Sequence, residues 1–170
     1  MTLAYIGLGS NLCDPKLQVQ HGLSLLRQLP RTRLLRASQL YLSPAWGMVN
    51  QPDFVNAVAE LETSLLPRAL LHELLQLENK AGRTRETVRW GPRKLDLDLL
   101  LWSDCIVDEP GLKLPHKHMH ERAFVLLPLA ELLPQLEIPG YGPVSKLLEK
   151  LDISDCRPLE QLERVAEIAK

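Results

Sequence analysis

Arg89-Trp90-Gly91-Pro92-Arg93-Lys94-Leu95-Asp96-Leu97-Asp98-Leu99-Leu100-Leu101-Trp102 is the stretch on which the chain turns. From Leu95 it alternates, with leucines at 95, 97 and 99 and aspartates at 96 and 98, then runs apolar to Trp102. A period of two is that of a strand, so the leucines enter a core and both carboxylates stand on the opposite face. Residues i and i+2 lie roughly 6.5–7 Å apart at the Cα. Two carboxylates at that spacing repel unless a cation sits with them. Hard divalent cations such as Mg²⁺ prefer carboxylate oxygens and are commonly shared with phosphates. Arg89, Arg93 and Lys94 lie just upstream, on a segment broken by Gly91-Pro92. A cation-rich loop followed by a carboxylate strand points to phosphate chemistry, although alternating charge also describes a solvated sheet face.

Upstream, Thr2–Gly9 reads as a buried first strand, with Ser10-Asn11 as its exit turn. Asp14-Pro15 opens a helix as N-cap and first helical residue. Its stripe is Leu17, His21, Leu25 and Leu29, supported by Leu26, and Pro30 ends it. Leu34–Leu42 reads as one strand, residues 43–53 as a long loop with two prolines, and Phe54–Glu62 as a third strand. Pro67 opens a second helix whose leucines run to a C-cap at Gly82. Residues 83–94 form a second long loop before the carboxylate strand. The order β-α-β-β-α-β predicts an α+β fold: a ferredoxin-like split core with a mostly antiparallel sheet, extended by short strands and helices. Beyond Trp102 come a short strand near Ile106-Val107, the segment Leu114-Pro115-His116, a helical run 123–133 interrupted by Pro128, and a short helix 144–151.

The 170 residues suffice for one domain, expected over residues 1–156, with 157–170 as a helical or flexible tail. A net charge of −1 argues against a general nucleic-acid binder. Cys13, Cys105 and Cys156 are scattered, which speaks for reduced thiols rather than a disulfide frame or zinc site. No apolar run reaches the roughly 18 residues of a membrane span and no leader pattern opens the chain, so a cytoplasmic protein is expected. His116, His118 and His120 alternate and offer a transition-metal chelate as a further reading of that segment.

Several stretches together resemble the 6-hydroxymethyl-7,8-dihydropterin pyrophosphokinase family of folate biosynthesis. They are Ala4–Asn11 (Ala-Tyr-Ile-Gly-Leu-Gly-Ser-Asn), Gln51–Ala57 (Gln-Pro-Asp-Phe-Val-Asn-Ala), Arg89–Asp98, Pro115-His116 and Arg122-Ala123-Phe124. The likeness runs from about Thr2 to Leu151, and Arg-Trp-Gly-Pro-Arg-x-Leu-Asp-Leu-Asp is its most specific string. It implies transfer of the terminal diphosphate of ATP, as one unit, to the hydroxymethyl group of the pterin, with two Mg²⁺ ions. It implies a monomer that binds these two substrates, with no nucleic-acid or membrane partner.

By position, the resemblance assigns the metals to Asp96 and Asp98 and catalytic charge neutralisation to Arg83 and Arg93. Phe54 and Phe124 become the walls of a pterin pocket, Asn56 the reader of the pterin's polar edge, and Asp96 the neighbour of the acceptor hydroxyl. Ser43, Pro44 and Trp46 supply further pterin contacts. Glu78, Arg85, Trp90, Arg93, Leu99, His116 and Arg122 fall on nucleotide-binding positions, with Trp90 closing the second loop. The chain departs from the family pattern at Lys117, where tyrosine is common, at Gly111, where arginine often occurs, and at Trp46, where leucine is usual. Two other readings are an RNA-recognition domain, which Asp96 and Asp98 oppose, and a metal-dependent nuclease, which leaves Phe54, Asn56 and Phe124 without a role.

Overall fold

The computed structural model describes residues 1–47, 50–82 and 94–160. The elements that position the site are β1 (Thr2–Ser10), α1 (Pro15–Leu26), β2 (Thr32–Ala37), β3 (Tyr41–Ser43), β4 (Phe54–Thr63), α2 (Pro67–Lys80) and β5 (Asp96–Trp102). Then come the hairpin β6 (Val107–Glu109) and β7 (Leu112–Leu114), a 3₁₀ turn (Met119–Glu121), α3 (Ala123–Leu132), the hairpin β8 (Glu137–Ile138) and β9 (Gly142–Pro143), α4 (Val144–Glu149) and β10 (Arg157–Pro158). The main sheet runs β10-β3-β4-β1-β5, with β2 also on β4, and every pair is antiparallel. Its centre follows the expected split β-α-β plan.

Each sheet face has its own core. Ala4, Ile6, Leu8, Leu95, Leu97 and Leu99 pack under α1 and α2 on one side. Tyr5, Val58, Leu100 and Leu101 pack under α3 and α4 on the other. β5 serves both because its register on β1 shifts between Tyr5–Leu101 and Ile6–Leu99, leaving Leu100 as an extra residue. Such a bulge turns the alternation by one position. Leu99 therefore faces α1 and α2, Leu100 and Leu101 face α3, and Trp102 returns to the first core.

The expected single strand over 34–42 is two strands. Three residues, 38–40, lie opposite two on β4, so one is extra. Ser38 fills the gap: its N–H donates to the Val58 carbonyl (2.8 Å) and its Oγ accepts from the Val58 N–H (3.0 Å). Glu131 of α3 holds the same break, accepting from the Gln39 N–H (3.0 Å) and the Tyr41 hydroxyl (2.7 Å). In α1 the expected stripe is rotated. Leu17 is 58% exposed, and the buried face is Val19, Gly22, Leu25 and Leu26. Gly22 makes that face possible, because a Cβ there would lie 3.0 Å from methyls of Leu8 and Leu95. The helix also ends at Leu26, although Leu29 stays buried beyond it. Pro128 does not interrupt α3; it sits inside the continuous helix. Its missing N–H leaves only the carbonyl four residues back, that of Phe124, without its helical donor.

The start of the expected tail belongs to the sheet. Arg157 and Pro158 pair with Leu42 and Tyr41, and the Leu159 N–H donates to the Leu40 carbonyl (2.8 Å). Leu162, Val165 and Ile168 lie outside the described residues. Among the described residues no helix is long and apolar enough to cross a membrane.

Candidate active site

Strand register brings three residues of the sequence motifs into one lateral row. Gly9 on β1 pairs with Asn56 on β4 and with Asp96 on β5; one step along, Gly7 pairs with Val58 and Asp98. All these side chains are on the α3 face of the sheet, where the two glycines leave the floor open. A Cβ at Gly9 would sit 3.2 Å from Asn56 Oδ1, and one at Gly7 would sit 3.4 Å from a Leu100 methyl. Above this floor is a cavity of about 350 Å³, within the range that holds small cofactors and drug-sized ligands.

Ser43, Pro44 and Trp46 from the first loop, Phe54 and Asn56 from β4, Asp96 and Asp98 from β5, and His116, Arg122 and Phe124 all border it. Chain segments far apart in sequence thus meet at one place, as the motif reading required.

Buried Asn56 donates from Nδ2 to Ser43 Oγ (2.8 Å). That bond fixes which way the amide lies and leaves its Oδ1 towards Gly9. The far end of the first loop is tied to the exit turn of β1, since Asn11 Nδ2 donates to Gln51 Oε1 (2.9 Å) and to the Pro52 carbonyl (3.0 Å). His116 is set beside β5 by its backbone: its N–H donates to the Leu100 carbonyl (2.9 Å). Its Nδ1 accepts from the His118 N–H (3.4 Å), so the neutral ring carries its proton on Nε2 and can donate there. Burial, then the Arg122 charge and His118, push the His116 imidazole down to about 4, so it is neutral at physiological pH.

Arg122 is 9% exposed. Burial depresses its guanidinium, while Asp98 and Asp96 pull in the opposite direction. The cation therefore feels both carboxylates. It lies 4.6 Å over the Trp46 ring and 5.7 Å from the Phe124 ring centre.

Two residues expected on the nucleotide, Leu99 and Glu78, do not border the cavity. The Leu99 side chain is buried in the α1/α2 core, turned away from the cavity by the alternation that points Asp98 towards it. Glu78 is 2% exposed beneath the sheet edge, where its Oε1 accepts from the Leu97 N–H (2.8 Å). Sequence could have found Glu78, since it follows Leu70 and Leu74 at steps of four on the core face of α2. Arg83, Arg85, Trp90 and Arg93 lie outside the described residues. Lys117 and His118 also border the cavity; neither was expected on pterin or nucleotide, His118 being read only as a candidate metal ligand. The signal for both was adjacency to His116. The three alternating histidines do not form a chelate: His118 Nδ1 pairs with Glu121 (3.2 Å) and His120 stacks on Tyr141 (4.2 Å). Among the described residues no three His, Cys, Asp or Glu side chains gather to hold a metal. A carboxylate pair without further protein ligands suits a hydrated hard cation whose other ligands come from phosphate.

The fold and cavity define a ferredoxin-like α+β protein whose small-molecule site is acidic on one wall and aromatic on others. Residues 5–134 match the family model described as 7,8-dihydro-6-hydroxymethylpterin-pyrophosphokinase. The chain belongs to that family. It is 47% identical over 161 residues to the 2-amino-4-hydroxy-6-hydroxymethyldihydropteridine pyrophosphokinase of Pseudomonas aeruginosa, covering 95% of each chain. It is 51% identical over 117 residues to the enzyme of the same name from Pseudomonas putida, covering 69% of this chain and 96% of that one. Among solved structures, a Plasmodium falciparum HPPK-DHPS with pterin and p-hydroxybenzoate superposes with a TM-score of 0.68 at 14% identity, over 88% of this chain. An HPPK-DHPS in complex with substrates gives 0.69 at 11% identity over 87% of this chain. The chain spans 41% and 43% of those longer proteins, and the likeness to them is one of fold.

Proposed function

We propose that this protein transfers the β,γ-diphosphate of ATP to the hydroxymethyl group of 6-hydroxymethyl-7,8-dihydropterin, giving AMP and the pterin diphosphate. The observation that carries this reading is the Asn56–Gly9–Asp96 row beneath a cavity walled by Phe54 and Phe124. A flat heterocycle between two phenyl rings gains stacking as well as burial, each aromatic pair contributing about 0.5–1.5 kcal/mol. At its edge the Asn56 amide and the backbone near Ser43, Pro44 and Trp46 read the pterin's donors and acceptors. The open floor at Gly9 then sets the hydroxymethyl arm towards Asp96.

Transfer of a phosphoryl-type group asks for positioning and charge neutralisation rather than covalent chemistry by the protein. Asp96 and Asp98 would hold two Mg²⁺ ions, which when bound supply charge neutralisation at the phosphates and polarise the attacking hydroxyl. Arg122 offers a planar guanidinium to phosphate oxygens, and neutral His116 offers its Nε2 proton. Arg83 and Arg93 complete the cationic side in this reading, with Arg85 and Trp90 on the nucleotide. Glu78 supports the site indirectly, by holding β5. Leu99 can reach a nucleotide only through its backbone. The active unit is a monomeric domain over residues 1–156, with the strand at 157–158 closing one sheet edge, acting in the cytoplasm without nucleic-acid or membrane partners.

The test is incubation with ATP, Mg²⁺ and 6-hydroxymethyl-7,8-dihydropterin, followed by chromatography of the nucleotides. AMP in step with pterin diphosphate is the expected result. ADP as product would make it an ordinary kinase, and absence of turnover would defeat the reading.

A further inference from the structure

The Trp46 ring is in contact with two residues of the 116–122 segment. The Arg122 Cζ lies 4.6 Å over its centre, and the His118 ring lies 5.3 Å away at 46°. The indole is the nearer of two rings beside Arg122, with Phe124 at 5.7 Å, while Asp98, Asp96 and Glu121 act on its charge. Arg122 is nine-tenths buried, and among the described residues its Nε finds no hydrogen-bond acceptor. An arginine side chain has many rotamers, and a buried guanidinium without a full set of acceptors would ordinarily swing towards water. An aromatic face is the one neighbour that attracts a guanidinium without demanding a hydrogen bond, and it leaves the N–H groups free to point elsewhere. Here they are left for the cavity that Arg122 borders.

We propose that the indole of Trp46 is a positioning residue for Arg122, holding the guanidinium plane at the cavity wall ready for the nucleotide's phosphates. The inference rests on the reading of the cavity as an ATP and pterin site. It gives Trp46 a role on the nucleotide side, in addition to the backbone contacts that its loop makes to the pterin. His118, braced by Glu121 (3.2 Å), backs the indole from a second direction.

Calorimetric titration with a non-hydrolysable ATP analogue and Mg²⁺ tests this on the full chain. Trp46→Leu keeps an apolar side chain but removes the π face, and is expected to weaken nucleotide binding roughly five- to thirtyfold. Trp46→Phe, which restores a ring, should return affinity to within about threefold of the parent. In an Arg122→Met background, Trp46→Leu should change nucleotide affinity less than about twofold, because the partner is already gone. The Arg122 Nε–H resonance should be shifted upfield by the ring in the parent and in Trp46→Phe, and not in Trp46→Leu. Equal losses for pterin and nucleotide, or an undiminished effect of Trp46→Leu without Arg122, would overturn the assignment. A parent protein that binds no nucleotide would overturn the ATP and pterin reading too. A parent that binds it as tightly as Trp46→Leu would overturn this inference alone.

Discussion

Gly9 and Asp96 are direct partners across the β1–β5 ladder and both border the cavity, whose floor stays open because Gly9 has no side chain. A Cβ at Gly9 would stand 3.2 Å from Asn56 Oδ1 and 3.7 Å from Phe54 Cδ1. Gly9→Val should therefore abolish detectable pterin binding while the far-ultraviolet circular dichroism is unchanged. A valine variant that still bound pterin normally would remove the floor of the cavity from the site.

Asp98→Ala should cut turnover on the order of a hundredfold or more. It should leave the melting temperature within a few degrees of the parent, since the half-buried carboxylate is repelled by Asp96 as well as attracted by Arg122, and the two effects offset. Steady-state kinetics with parallel thermal unfolding separates the two effects, and near-normal turnover would take Asp98 out of the metal site.

Gly22→Ala pits two magnitudes against each other. Alanine in a helix interior is favoured over glycine by about 1 kcal/mol. The new Cβ would press on methyls of Leu8 and Leu95 at 3.0 Å, and both leucines are 2% exposed. Overpacking a filled core costs about 1–3 kcal/mol, so the net effect should be destabilising by roughly 1 kcal/mol. Urea unfolding measures it, and a stabilised variant would mean that the core under α1 yields more easily than its packing suggests.

Stability should fall with acid for two identifiable reasons. Glu60, 6% exposed, accepts from Arg36 Nε (2.9 Å) and Tyr5 hydroxyl (2.8 Å), and the Arg36 bond above all holds its carboxyl below the usual range. A folded value below the unfolded one gives stability that is complete above the unfolded carboxylate range and is lost as pH falls through the folded value. His116 acts at milder acidity. Its folded value is pushed down from 6.5 to about 4, so between these values the unfolded chain binds the extra proton and stability declines as pH drops. Unfolding free energies measured from pH 7.5 downwards should show both losses. Glu60→Gln should flatten the lower one and His116→Asn the upper one, and curves identical to the parent would refute these assignments.

Much of this was legible because the signals were local. Asp14-Pro15 marks the start of α1, Gly82 adopts the left-handed C-cap conformation (φ 94°), and the Leu/Asp alternation puts both carboxylates on one face. What escaped depends on partners distant in sequence. Ser38 looks like any strand residue until Val58 shows that the chain has one residue too many there. The bulge at Leu100 hides inside an apolar run, where every residue suits either core. The step-of-four pattern puts Glu78 on the core face of α2, but not the bond that makes a buried carboxylate tolerable there, because the Leu97 amide that donates to it is nineteen residues away.

That last bond has a meaning for the protein in a crowded solution. β5 ends the main sheet, and the outer rim of such a strand carries main-chain groups that can recruit a foreign chain. Here Glu78 takes the Leu97 amide and the His116 amide takes the Leu100 carbonyl, so two main-chain groups of that rim already have partners. The strand that bears the acidic pair is thereby less open to a foreign chain at those two positions.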